Sequence, residues 1–95
     1  MSFRRAAKVD DNQAATVKLF RKLGWSVLII SQLKNCCDII VSKGGRTIAV
    51  EIKDGAKPAS ARKLSEGEVK FRDNWAGEYA LVICAEDVLA LEIRA

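Results

Sequence analysis

The chain has 95 residues, of which 49% are apolar and 29% charged, with a formal net charge of +4 and no histidine. That length allows one small domain, residues 1–95, and the apolar fraction excludes a disordered chain. Without histidine, a His-dependent triad is excluded and a tetrahedral zinc site is disfavoured, the more so because the three cysteines are odd in number and Cys36 adjoins Cys37. Any general base must therefore be a carboxylate, a lysine or a metal-bound water. The cysteines read as buried thiols of a reducing compartment, and a cytoplasmic location is expected. No apolar run approaches a membrane span, and Arg4, Arg5 and Lys8 followed by acids predict no signal peptide.

Residues 1–9 read as a flexible basic arm. Asp10 predicts a helix start, with Gln13 three residues on completing a capping-box pattern, and Gly24 predicts the end. Leu19, Phe20 and Leu23 form its apolar face, with Lys18, Arg21 and Lys22 opposite. Asn12 and Gln13 flank that face at the first turn, where they either contact a functional site or hydrogen-bond locally. Residues 25–30, rich in Val, Leu and Ile, predict a first strand, and residues 31–36 a loop.

Two apolar runs then flank Gly44-Gly45, the signal of a hairpin closed by a two-residue turn of type I′ or II′. Counting outward, Lys43 faces Arg46, Ser42 faces Thr47, Ile40 faces Ala49 and Asp38 faces Glu51. The other face reads Cys37, Ile39, Val41, Ile48, Val50 and Ile52, a uniformly apolar core face that fixes the register. Asp38 and Glu51 become cross-strand neighbours about 5 Å apart, with Lys53 on the same face and diagonal to Asp38. Facing like charges destabilise a sheet, so this pair predicts a compensating hard cation such as magnesium, held by one or two carboxylates, waters and substrate phosphates.

Residues 54–63 contain Gly55, Pro58 and the cations Lys57, Arg62 and Lys63, and read as a mobile basic loop: either a clamp on phosphates or a solvated connector. Ser65 and Glu68 form a capping box, which assigns Glu68 to capping, and Leu64, Phe71 and Trp75 form a helical stripe that assigns Trp75 to the core. Residues 79–84 predict the last strand, and residues 86–95 are ambiguous between a short helix and a helix followed by an extended end. Three strands joined by short loops predict an antiparallel meander, and the crossover through the second helix predicts a fourth strand parallel to the third. The expected architecture is α/β, one mixed sheet with a helix on each face. Residues 1–63 carry 13 Lys and Arg against 5 Asp and Glu, whereas residues 64–95 carry 3 against 7. A cationic half that contains the acid pair suits a polyanionic substrate.

An acid at the start of the second strand and Glu51-Ile52-Lys53 on the third, in αβββαβ order, resemble the PD-(D/E)XK nuclease superfamily, with Cys37 where its label has proline. The strings Asp10-Asp11-Asn12-Gln13, Cys37-Asp38-Ile39-Ile40-Val41, Val50-Glu51-Ile52-Lys53-Asp54-Gly55-Ala56-Lys57-Pro58 and Arg62-Lys63-Leu64-Ser65, then Phe71 and Trp75-Ala76-Gly77, look like the small stand-alone VRR-NUC domains of bacteria and their phages. This resemblance spans essentially the whole chain. It implies a restriction-endonuclease-like core with a mixed four-stranded sheet flanked by helices, and a Mg2+- or Mn2+-dependent DNA endonuclease. It further implies branched DNA such as a Holliday junction as substrate, a homodimer, and a bacterial or phage-infected cell.

By the same resemblance Asp38 and Glu51 bind the metal with the Ile52 carbonyl, and Lys53 orients water or stabilises charge on phosphorus. Gln13 takes the first-helix position, with Asn12 competing for it, and Arg4, Arg5, Lys57, Arg62 and Lys63 contact DNA. Residues 65–69 depart from the family's usual Pro and Gln. The alternatives are a monomeric nicking or flap nuclease and a non-catalytic nucleic-acid-binding module in which Asp38 pairs with Lys53 at the surface.

Overall fold

The computed structural model describes residues 12–93. The order is α1 (Gln13–Lys22), β1 (Ser26–Ile29), β2 (Ile39–Lys43), β3 (Arg46–Ile52), a single 3-10 turn (Ala59–Arg62), α2 (Glu66–Asn74), β4 (Glu78–Val82) and α3 (Ala85–Ile93). One four-stranded mixed sheet runs β1-β2-β3-β4, with the first three strands antiparallel and β4 parallel to β3. The meander and the parallel return of the fourth strand are as the sequence predicts. The C-terminal ambiguity resolves to a helix through Ile93.

The β2–β3 hairpin has the expected register: Lys43 pairs with Arg46, Ser42 with Thr47, Ile40 with Ala49 and Ile39 with Val50. Gly44 and Gly45 have φ of +60° and +81°, the positive pair that a type I′ turn demands and that glycine adopts without strain. Ser42 and Thr47 hydroxyls join across the strands at 2.9 Å. At the hairpin tip Lys43 Nζ donates to Glu92 at 2.7 Å and to the Leu23 carbonyl at 2.6 Å, while Arg46 grips Glu78 and donates to the Leu91 carbonyl at 2.7 Å. Both ends of the turn are thus fastened to α3.

Alternation along the hairpin buries Ile39, Val41, Ile48, Val50 and Ile52 completely, together with Phe20 of α1, Val82 of β4 and Val88 of α3. The helices α1 and α3 pack against each other and share this face of the sheet. Trp25 closes one end, its ring edge-on to Phe20 at 5.8 Å and its Nε1 donating to Glu92 at 2.8 Å. Removing these apolar groups from water is the main stabilisation of the fold.

Two expectations are corrected. The first helix begins at Gln13 with Asn12 at its cap, and its buried face is Gln13, Thr16, Val17 and Phe20, with Leu19 and Leu23 only packed against the core. The proposed Asp10 cap and the arm of residues 1–9 lie outside the described residues. Residues 54–63 are held at several points: the Gly55 N–H donates to the Ile83 carbonyl at 2.9 Å, Asp54 accepts from the Ala56 N–H, and Arg62 Nε donates to the Lys57 carbonyl at 3.0 Å. A Cβ on Gly55 would lie 2.6 Å from the Ile83 carbonyl oxygen, so only glycine permits that anchor. Finally, Trp75 is not in the core; it caps α2 and is 39% exposed.

Candidate active site

The acid pair stands where β2 begins. The ladder proper starts at Ile39, and one residue earlier the Asp38 N–H donates to the Val50 carbonyl at 3.0 Å. Its carboxylate then takes over from the backbone: Asp38 Oδ2 accepts the Ile52 N–H at 2.7 Å, and the Asp38 carbonyl accepts the Ile30 N–H at 2.9 Å. The expected opposition of Asp38 and Glu51 is therefore made by side chains rather than by a ladder pair. In a strand the N–H and C=O of one residue leave by the same edge. The Ile52 carbonyl accordingly shares the Asp38 side of β3.

Glu51 projects from the face opposite the apolar core, yet it is only 2% exposed. What covers it is α2, whose Glu68 reaches down to the sheet. Burial pushes the Glu51 carboxyl up to about 10, and the Asp38 and then the Glu68 carboxylates push in the same direction. Carboxyl groups in mutual hydrogen-bonding reach need a proton or a cation between them. In the metal-free protein at neutral pH, Glu51 therefore holds a proton.

Lys53 Nζ lies on the same side, 3.0 Å from Glu68 Oε1 and 3.3 Å from Oε2. Glu68 also closes its own capping box: its Oε1 accepts the Ser65 N–H at 2.8 Å, and its N–H donates to Ser65 Oγ at 3.2 Å. Burial pushes Glu68 up, but the Ser65 N–H and Lys53 outweigh it, so its carboxyl stays below the ordinary range. The sequence assigns Glu68 to capping alone, so it is a site residue the sequence reading missed. The box explained the acid locally, and its second partner is visible only once α2 is laid over β3.

Tyr79 was missed as well. Parallel pairing sets Tyr79 opposite Ala49, hence on the face of Glu51, and its hydroxyl is buried without a hydrogen-bond partner. Burial and the Glu51 carboxylate push this phenol up to about 12, so it remains a donor throughout the neutral range. Alternation in β4, with Val82 turned to the core, is the signal that could have found it.

At the other rim, Asn12 Nδ2 donates to the Lys53 carbonyl at 2.9 Å, and Gln13 Nε2 donates to Ser31 Oγ at 3.1 Å beside the Ile30–Asp38 contact. Gln13 is 7% exposed, and its Oε1 and the Asn12 Oδ1 are buried with no partner. Both amides at the start of α1 thus border the site, Asn12 just past the end of β3 and Gln13 on the β1–β2 loop. Buried polar atoms without partners are rare and mark places where water, an ion or a ligand is wanted.

Of the expected DNA contacts, Arg4 and Arg5 lie outside the described residues. Lys57 and Arg62 are half-buried in the braced loop and Lys63 is exposed beside it. Cys37 is buried, its thiol pushed well above its usual range first by burial and then by Cys36, so it is neither nucleophile nor ligand at neutral pH. The cysteines Cys36, Cys37 and Cys84 are all free.

The donors suit a hard cation. Among the described residues no three His, Cys, Asp or Glu side chains are grouped as metal ligands. What is available is the Asp38–Glu51 pair and the Ile52 carbonyl, all oxygen. Magnesium-like ions keep several waters and need no more than one or two carboxylates. The buried, proton-holding Glu51 is the observation of fit: a divalent ion would take the place of its proton. Scans of protein-family models, of curated proteins and of solved structures find no match to this chain. Among the described residues no helix is long and apolar enough to cross a membrane.

Proposed function

We propose that the protein is a divalent-metal-dependent endonuclease that hydrolyses phosphodiester bonds in DNA, and that it acts on branched or otherwise unpaired structures. The observation that carries this reading is Glu51, 2% exposed and facing Asp38, with Lys53 at the same surface. A binding module has no use for a buried carboxyl set against a second acid at a cost in stability. A hydrolase that must fix a cation against phosphate does.

Asp38 and Glu51 would hold Mg2+ or Mn2+ together with the Ile52 carbonyl. Bound there, the ion supplies charge neutralisation at the phosphate and acidifies water. The chain's own groups do the positioning. The Ile52 N–H fixes the Asp38 carboxylate, and Glu68 fixes the Lys53 ammonium, which shares the Glu51 face of β3 and is the group to stabilise negative charge on a phosphate oxygen. The Tyr79 hydroxyl, a donor, offers a hydrogen bond to the phosphate or to an attacking water, and the Gln13 and Asn12 carbonyl oxygens, acceptors, offer theirs to the water. Lys57, Arg62 and Lys63 bear on the flanking backbone. Two strands of a junction would be addressed by two copies of the chain.

The test incubates labelled four-way junction, flap, linear duplex and single strand with magnesium, manganese or EDTA, beside Glu51→Gln. Paired symmetric cuts of the junction that need both metal and Glu51 are expected. Cutting confined to flaps or single strands would replace the dimeric resolvase by a monomeric nuclease. Tight binding without metal-dependent cutting would replace the enzyme by a binding module.

A further inference from the structure

Trp75 is 39% exposed, while Trp25 is 3% exposed. The exposed indole is held in place on two sides. Its Nε1 donates to the Glu78 carbonyl at 2.9 Å, and its ring stacks on Phe71 with centroids 5.3 Å apart and planes 25° from parallel. Gly77 leaves room for this, since a Cβ there would lie 3.0 Å from the indole nitrogen. The aromatic pair lines a groove of about 440 Å³, shared with Asn35, Glu66, Lys70 and Asn74.

We propose that this groove seats an unpaired nucleobase of the strand being cut, stacked on the Phe71–Trp75 pair; the proposal rests on the nuclease reading and names its substrate class. Three features select a base as the occupant. A preorganised aromatic plane takes any base face, and only an unpaired base has a face to offer. Glu66 and Lys70 cancel in charge, which suits a neutral heterocycle rather than a phosphate, while the Asn35 and Asn74 amides can meet polar base edges.

Position is the third feature. Asn35 precedes Asp38 by three residues on the loop that feeds β2, and Phe71 follows Glu68 by three residues, about one turn of α2. The groove therefore flanks the acid pair between the same two elements that bring Asp38 and Glu68 to it. A strand with its phosphate at the acids can turn out a neighbouring base there. Intact duplex, whose bases are stacked on both faces, cannot use the groove without unpairing.

Tryptophan fluorescence in EDTA tests this without cleavage, because the buried Trp25 leaves Trp75 as the ring that a ligand can quench. Three probes are titrated: a thymine-containing single strand, an abasic strand of equal length and a blunt duplex. The base-containing strand is expected to quench, and the abasic strand and duplex to leave emission near its starting value. Trp75→Leu is expected to abolish the quench and weaken binding of the labelled single strand by about tenfold or more. Equal quenching by abasic and base-containing strands, or unchanged affinity in a folded Trp75→Leu, would overturn the proposal, as would failure of the single strand to bind. Should Trp75→Leu lose its circular dichroism, the abasic comparison on the unaltered protein decides. Quenching by a protein that never cuts with metal would sink the nuclease reading alone; cutting without quenching would sink the stacking site alone.

Discussion

Glu68 holds the Lys53 ammonium at 3.0 Å with the same oxygen that accepts the Ser65 N–H at 2.8 Å. One carboxylate thereby joins the first turn of α2 to the end of β3, and the helix cannot shift along its axis without moving the site lysine. Neither duty is replaceable by an apolar side chain.

Replacing Glu68 by alanine should therefore cost about 1–2 kcal/mol, through the lost box and the partly buried ion pair. Glu68→Gln keeps the box and should cost less than half as much. Thermal denaturation of the two variants checks the order; equal losses would mean that the box contributes nothing.

Glu51 gives the metal-free protein a pH dependence of definite sign. Its carboxyl is raised in the fold to about 10 from an ordinary 4.5, so the native state keeps a proton that the unfolded chain releases. The stability this group contributes is complete below about pH 4.5 and declines as pH rises toward 10. Glu51→Gln, which cannot ionise, should lose that slope and at pH 8 in EDTA should exceed the parent by more than about 1 kcal/mol, roughly 4–8 °C in Tm for a domain of this size. Parallel pH–Tm curves for the two proteins would contradict the assignment.

Metal should oppose the same titration. Magnesium or manganese at 100 times its Kd should stabilise the protein by about 2.7 kcal/mol, and at one fixed metal concentration the shift should be larger at pH 8 than at pH 6 because binding displaces the Glu51 proton. Asp38→Asn and Glu51→Gln should abolish the shift, and these variants and Lys53→Ala should abolish cleavage while keeping the fold. A metal-induced shift that survives both acid substitutions would place the ion elsewhere.

Gly67 faces the β1–β2 loop so closely that a Cβ would fall 2.0 Å from Asn35 Oδ1 and 3.0 Å from its Cγ. Asn35 itself has a φ of +57°, a conformation glycine adopts freely. Gly67→Ala must push aside the exposed Asn35 side chain but gains alanine's helix preference within α2, so alone it should change stability by less than about 1 kcal/mol, whereas combined with Asn35→Gly, which removes the obstacle, it should stabilise by about 0.5–1 kcal/mol. Additive effects in the cycle would show that the two positions do not touch.

The hairpin was legible in the sequence because its signals are local and doubly determined: Gly44-Gly45 sets the turn, and the alternation from Ile39 to Ile52 sets the faces. That sufficed to bring Asp38, Glu51 and Lys53 together. Trp75 was not legible, because counting a helical stripe through Phe71 assumes that the helix continues. It ends at Asn74, and the extended backbone of Trp75 (ψ +120°) turns the ring toward Glu78 instead. The face of α1 was misjudged for another reason. Side-chain type ranks Leu19 and Leu23 as interior, whereas the helix docks with Gln13 and Thr16 inward, beside the polar end of the sheet. Which polar groups a core accepts depends on what lies across from them, and that is a tertiary fact.

No residue of α2 is fully buried, in contrast to α1 and α3, which share the interior. The segment is fastened by polar clasps and one aromatic stack, so it should release at a free energy well below that of global unfolding. Amide hydrogens of residues 66–74 would then exchange with solvent long before those of β2 and β3. The chain can bare its acidic surface and cover it again as a subglobal event, with the sandwich of α1, α3 and the sheet intact beneath.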